Sequence, residues 1–138
     1  MCGWIINGLK YTGVDAQFAP INDIISNGRK ISGNAQTRRD GMLLQHGTIL
    51  YDLNVVKMFS LLNVSKEKIS DKMIKSAEER VTSVKSQTGA SFEELYKSIL
   101  RGFTEYKDYG IGMLSPGELR RAEELEKTYS SDAWNFSR

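Results

Sequence analysis

The chain has one cysteine, one histidine and two prolines in 138 residues, and its charges nearly cancel. A single thiol, Cys2, excludes an intramolecular disulfide and suits a reducing compartment. No base lies near Cys2 in sequence, so it is not read as a nucleophile. Nineteen Lys and Arg against 17 Asp and Glu leave a formal charge of +2, too small a surplus to point to nucleic acid. No apolar run approaches the ~20 residues of a membrane span. The start, MCGWIING, lacks the basic n-region and long h-region of a signal peptide. A cytoplasmic protein with no nucleic-acid and no membrane partner is expected. The 40% hydrophobic and 26% charged residues are globular values, and the length fits a single domain, 1–138.

What is present concentrates between residues 22 and 50, NDIISNGRKISGNAQTRRDGMLLQHGTIL. The run is polar and glycine-bearing where an ordinary strand would be apolar. Asn27-Gly28 and Asp40-Gly41 are two-residue hairpin signals, because these residues tolerate positive φ. They predict an antiparallel meander with strands over 23–26, 29–38 and 42–52. Ideal pairing sets Asp23 opposite Ser32, Ile25 opposite Lys30, and Gln36 opposite Gln45. Alternation then collects Asp23, Lys30, Ser32, Asn34, Gln36 and Gln45 into one polar patch. Ile31, Gly33, Ala35 and Thr37 take the other face, with His46 opposite Ala35 and Thr48 opposite Gly33. One bulge would change this allocation, and Gly33 and Gly47 are the expected places for it. A polar strand face is commonly just solvated. Glycine inside a strand weakens it, however, and often marks close approach of a ligand or another backbone. With Lys30 and the lone His46, that makes the patch a candidate binding and catalytic surface. The Arg38-Arg39 pair, at a hairpin tip, is read as solvated.

The remainder reads as scaffold. Residues 3–12 predict a short helix ended by Gly13, and residues 17–19 lead into the sheet. Residues 53–62 predict an apolar helix, and 66–75 a charged helix or loop. Ser91-x-x-Glu94 is a capping box. It opens a helix whose stripe of Phe92, Leu95, Tyr96, Ile99, Leu100, Phe103 and Tyr106 is expected in the core. Ser115-Pro116 with Glu118 opens the last helix, with Leu119, Ala122, Leu125 and Tyr129 as its buried side. Three strands followed by helices give an α+β fold, an antiparallel sheet meander with packed helices. Ile24, Ile31, Leu43, Ile49, Leu95, Ile99 and Phe103 are expected to be buried together, with the 91–107 helix on the sheet.

NDI, then GRKISGNAQ, then QHGTIL, in this order and spacing, resembles the lipoate-protein ligase branch of the biotin/lipoate ligase superfamily. Lys75-Ser76 with Arg80-Val81-Thr82 is similar to its Lys-Ser…Arg-Val-Thr-Asn element, with Ser83 where the family has Asn. YSSDAWNF, residues 129–136, is similar to its terminal Tyr-x-x-x-x-Trp-Asn. The resemblance implies ATP-dependent activation of lipoate to lipoyl-AMP and transfer to a lysine of a lipoyl carrier domain. It implies Lys30 as the catalytic cation touching acyl carbonyl and phosphate. It implies Asn22, Asp23, Ser32, Gly33, Asn34, Ala35, His46, Gly47 and Thr48 as the lipoyl-AMP-binding set, and Asp23 as a Mg2+ ligand. The implied partners are lipoyl carriers, either 2-oxoacid dehydrogenase subunits or the glycine-cleavage H protein. The family's Arg-Arg-x-Thr-Gly-Gly-Gly element is absent from these residues. The domain is therefore expected to be incomplete, lacking the N-terminal half, and to pair with that half or to self-associate. Two alternatives are an ATP-independent octanoyl or lipoyl transferase, which would need a Cys where Ala19, Pro20 and Ile21 stand, and a non-catalytic remnant or binding subunit.

Overall fold

The computed structural model describes residues 1–61 and 71–137, so the sequence positions 62–70 of the expected helices lie outside the described residues. Contacts group the chain into two compact units, Met1–Lys107 and Asp108–Arg138. The first unit contains α1 (Cys2–Tyr11), strands β1 (Gln17–Ala19), β2 (Asp23–Ser26), β3 (Arg29–Arg39) and β4 (Met42–Ile49), then α2 (Val55–Leu61), α3 (Asp71–Arg80), α4 (Val84–Thr88) and α5 (Phe92–Thr104). The second contains α6 (Pro116–Tyr129) and α7 (Asp132–Asn135). The fold is α+β, as expected.

The sheet is an antiparallel meander in the order β1-β2-β3-β4. Both hairpins turn where the sequence places them. Asn27 and Gly28 have φ of 51° and 72°, and Asp40 and Gly41 of 53° and 73°, the left-handed pair a type I′ turn requires. The fourth strand, β1, corrects the expected three. It pairs Gln17 with Ile25 and Ala19 with Asp23, but three residues with no turn dipeptide after them carry no strand signal. Helix α4, a five-residue turn capped by Ser83 on Ser86, was likewise not foreseen.

The core joins Ile5 and Leu9 of α1, Val14 of the connection to β1, Ile24 and Ile31 of the sheet, Val84 and Leu95. Leu9, Ile24, Ile31 and Val84 are wholly buried. Of the expected members, Ile49 and Ile99 are only partly buried against this core, and Leu43 and Phe103 are 37% and 38% exposed. Leu43 sits next to the β3–β4 turn, opposite the exposed Arg38. The α5 stripe is similarly overestimated, since Phe92, Tyr96 and Leu100 are exposed and Tyr106 falls after the helix end. The reason is that α5 packs chiefly on α1 rather than on the sheet. The two helices approach through Gly8 and Gly102: a Cβ added at Gly102 would lie 2.5 Å from Gly8 N and 2.7 Å from Gly8 Cα. A backbone-to-backbone contact this close leaves no room for a side chain between the axes. Leu95 is the residue of α5 that reaches the shared core.

The predicted capping box forms at Ser91, and the predicted helix start at Ser115 is a capping box as well. Ser91 accepts from Glu94 N–H while Glu94 accepts from Ser91, and Ser115 and Glu118 do the same with Pro116 at the first helical position. The Ser91 amide and hydroxyl hold the Glu94 carboxyl below the usual carboxylate range, and the Ser115 hydroxyl and amide do so for Glu118. In the second unit Trp134 packs edge-on against Tyr129 at 4.9 Å, closing the terminal Tyr-x-x-x-x-Trp run on itself. The expected buried side of α6 is not found: no α6 residue is buried, and Leu119 and Tyr129 are exposed.

Two measurements check this packing. Gly102→Ala should cost about 1–3 kcal/mol or more by overpacking, and Leu95→Ala about 2–5 kcal/mol as a cavity, both read by denaturant midpoints, while Leu43→Ala should cost less than about 1 kcal/mol. A depressed carboxylate stabilises the fold above its unfolded pKa, and that stabilisation is lost as pH falls through the folded pKa. Far-UV helicity should therefore decline below about pH 4.3, the free Glu value, and Glu94→Gln should flatten that decline.

Candidate functional site

The site begins with a register shift. Across β2 and β3, Ile25 pairs with Lys30 as ideal alternation predicts, but Ile24 pairs with Ser32 and Asp23 with Gly33. Ile31 is the extra residue. A bulge of this kind advances one strand by one position and exchanges the faces beyond it. The expected pairing of Asp23 with Ser32 is thereby corrected, and so is the bulge position, which is neither Gly33 nor Gly47. From Ser32–Ile49 to Arg39–Met42 the β3–β4 ladder is regular, with His46 opposite Ala35, Thr48 opposite Gly33 and Gln36 opposite Gln45 as expected.

The single polar patch is therefore divided. One part is Asp23, Lys30 and Gly33. Lys30 Nζ lies 2.7 Å from Asp23 Oδ1, with the side chains 42% and 33% exposed. A Cβ at Gly33 would stand 3.0 Å from Lys30 Cε and 3.1 Å from its Nζ. What approaches Gly33 closely is thus the lysine itself, which lies across the bare glycine to reach the carboxylate. Thr48, Ala35 and His46 follow Gly33 on this face by register.

The other part turns toward the helices. Ser32 and Asn34 are 1% and 5% exposed. Asn34 is clamped to Asn22: Asn34 N donates to Asn22 O (2.9 Å), Asn22 Nδ2 donates to Asn34 O (2.6 Å), and Asn34 Nδ2 donates to Asn22 O and Ser32 Oγ (both 3.2 Å). Asn34 Oδ1 has no hydrogen-bond donor among the described residues. It lies 2.5 Å from where a Cβ at Gly47 would be, so it rests on the Gly47 Cα–H, a weak but recurrent contact in sheets. Gly47 is required by a neighbouring side chain. A cavity of about 230 Å3 beside it is lined by Ile5, Ile49, Ile99, Phe103 and Asn34 and is also bordered by His46, whereas neither Lys30 nor Asp23 lines it.

Other candidates resolve plainly. Cys2 sits on α1, half-buried, accepting from Gln45 Nε2 at 3.6 Å. Arg38 and Arg39 are exposed at the hairpin tip, with Arg39 paired to Asp40 at 3.3 Å. Among the described residues no three His, Cys, Asp or Glu gather into a metal site. Asp23 alone offers one carboxylate, which fits an ion whose shell is completed by phosphate oxygens and water and not a protein-held metal.

Sequence reasoning missed the support behind Lys30. β4 ends at Ile49, and beyond it the side of β3 is taken by Val81 and Thr82: Thr82 N–H donates to Lys30 C=O at 2.9 Å, and Val81 forms a parallel bridge to Lys30. The Arg80-Val81-Thr82 run is visible in sequence; its partner strand is not.

The family model described as the lipoyl protein ligase A/B catalytic domain matches residues 1–104. The octanoyltransferase LipM of Brevibacillus brevis is 35% identical over 121 residues, covering 84% of this chain and 44% of that protein. Among solved structures, the bi-partite lipoate protein ligase of Thermoplasma acidophilum, studied with its E2 lipoyl domain, superposes with a TM-score of 0.86 at 31% identity, over 98% of this chain and 55% of that one. A lipoate-protein ligase A bound with ATP superposes with a TM-score of 0.79 at 27% identity, over 96% and 55% of the two chains. The chain spans about half the length of the curated relatives it matches.

The geometry at Gly33 makes a distinct prediction. Gly33→Ala leaves the strand backbone unstrained and should cost less than about 1 kcal/mol, yet it displaces the Lys30 stem. The Nζ resonance of Lys30 should lose its Asp23-dependent shift in lysine-selective NMR while the thermal midpoint hardly moves.

Proposed function

Because the chain belongs to the lipoyl protein ligase A/B catalytic-domain family, we propose that it supplies the lysine-bearing part of an ATP-dependent lipoate ligase site. The observation that carries this reading is the Lys30 ammonium held on an open strand face, across Gly33, by Asp23. A free carboxylic acid is a poor acyl donor at neutral pH. ATP, when bound, supplies the adenylyl group that makes lipoate reactive: the carboxylate attacks the α-phosphorus and pyrophosphate leaves. The ε-amine of a carrier lysine then attacks the acyl carbonyl, losing a proton as AMP departs.

Negative charge grows first on phosphate oxygen and then on the carbonyl oxygen. A cation placed within reach of both stabilises each transition state without reorganising solvent. An ammonium on a four-carbon stem can serve two positions where a rigid guanidinium cannot. Asp23 orients that ammonium, and with a nucleotide in place its carboxylate would hold the accompanying Mg2+. Asn22, Ser32, Asn34, Ala35, His46, Gly47 and Thr48 complete the proposed set, the first three with Gly47 by fixing the strand that presents Lys30. The remaining wall for nucleotide and acyl chain is assigned to the Arg-Arg-x-Thr-Gly-Gly-Gly element, whose partner polypeptide or segment would combine with these residues. Lipoyl carrier domains are the proposed acceptors, in a cytoplasmic setting; no helix among the described residues is long and apolar enough to cross a membrane.

The similarity to an octanoyltransferase favours a second reading, acyl transfer without ATP. It is the weaker one here. The single thiol, Cys2, is tied to Gln45, whose side chain lies with Asn34 on the helix side of the sheet, away from Lys30.

The test is lipoate-dependent exchange of pyrophosphate into ATP, followed by transfer to a lipoyl domain, by this chain combined with the complementary half of a ligase. Lys30→Ala should lower both steps by about 10²–10³-fold or more with an unchanged circular dichroism spectrum. Near-normal turnover by that variant would remove Lys30 from the chemistry, and transfer from an octanoyl donor without ATP would select the second reading.

A further inference from the structure

Behind Lys30, on the core side of the sheet, stands a carboxamide that the proposed chemistry does not use. Gln87 Oε1 accepts from Ser26 Oγ at 2.9 Å and from Asn27 Nδ2 at 3.3 Å. Its Nε2 donates to Thr82 Oγ1 at 3.1 Å. Ser26 and Thr82 are 2% and 4% exposed. Buried hydroxyls are costly to leave unpaired; Gln87 satisfies Ser26 and, together with Ser86 Oγ at 3.5 Å, Thr82.

The two segments it joins are the two that hold the Lys30 backbone. On one flank, Ser26 pairs with Arg29 and Ile25 with Lys30. On the other, Thr82 N–H donates to Lys30 C=O, and Val81 bridges to the same residue. The β4 ladder ends at the Ser32–Ile49 pair, and the last bond on that side, Leu50 N–H to Ile31 C=O, falls one residue short of Lys30. At Lys30 the strand therefore depends on a short parallel bridge instead of a ladder. The bulge at Ile31 sits immediately beside it, where pairing is locally disrupted.

We propose that Gln87 is a positioning residue for Lys30: its carboxamide fastens the β2–β3 hairpin to the Val81–Thr82 segment, and this fixes the direction in which the ammonium is presented. The proposal rests on the assignment of Lys30 as the reacting-site cation, but its test does not use turnover. Ser26 and Thr82 face the core while Lys30 faces the open side, so Gln87 acts through backbone and touches no reactant.

The readout is trace acetylation of the purified chain with acetic anhydride, quantified lysine by lysine by peptide mass spectrometry. Lys30 must leave Asp23 to react, so in the unaltered chain it should label more slowly than the exposed Lys10. Gln87→Met keeps the length and apolar stem and removes both hydrogen-bonding arms. It should raise Lys30 labelling to the Lys10 rate, with Lys10 and Lys85 unchanged. Gln87→Glu should restore slow labelling, since both hydroxyls can turn to donate to a carboxylate. Ser26→Ala, which removes one arm only, should move Lys30 in the same direction by less, and it serves if Gln87→Met does not fold. Lys30 labelling unchanged in a folded Gln87→Met or Ser26→Ala chain overturns the positioning role, whatever the activity of Lys30→Ala. A uniform rise at every lysine overturns it equally, because it would report general loosening.

Discussion

One extra residue in β3 organises the sheet that carries Lys30. Because Ile31 has no partner of its own in β2, both Ile31 and its neighbour Ser32 are buried, and Lys30 and Gly33 come to share the opposite face. In a regular strand residues three apart point to opposite sides. With the bulge, the lysine can lie across the glycine and meet Asp23. A ladder without it would put Lys30 and Asp23 with Ser32, and would place Gly33 where no side chain needs its bareness.

The Lys30–Asp23 pair contributes little to stability. Both side chains are about a third or more exposed, and pairs of that kind are worth roughly 0–1 kcal/mol. Its importance is directional. The carboxylate defines where a flexible ammonium rests, and the glycine defines the path it takes. Stability comes from elsewhere, from the core of Ile5, Leu9, Ile24, Ile31, Val84 and Leu95 and from the α1–α5 contact at Gly8 and Gly102. This separation lets the open face be polar while the covered face keeps the strand in register.

The glycines show the same division of labour. Four are needed for φ that other residues adopt at a cost, at the turns and helix ends Gly13, Gly28, Gly41 and Gly89. Gly33 and Gly47 are needed for space, each vacated for a specific side chain of the same sheet, Lys30 and Asn34. A glycine inside a strand signals close approach; here the approaching group is internal, and the ligand that the family resemblance implies would meet the lysine in front of it.

Sequence alone determined the α+β class, both type I′ hairpins, the capping box at Ser91, the start of the last helix at Ser115-Pro116, and the pairing of His46 with Ala35 and Thr48 with Gly33. These are local properties: turn dipeptides, caps and alternation act within a few residues. The family was legible for the same reason, because its motifs are short and contiguous. Tertiary structure alone decided which face each polar residue occupies, since a bulge at an ordinary isoleucine leaves no compositional mark. It also decided that α5 rides on α1, so that Phe103, Tyr96 and Leu100 remain exposed where an amphipathic stripe reads as core. The bridge from Thr82 to Lys30 and the amide of Gln87 behind it join segments more than fifty residues apart. Contacts at that separation are set by how the chain closes on itself, and nothing in a local pattern can specify them.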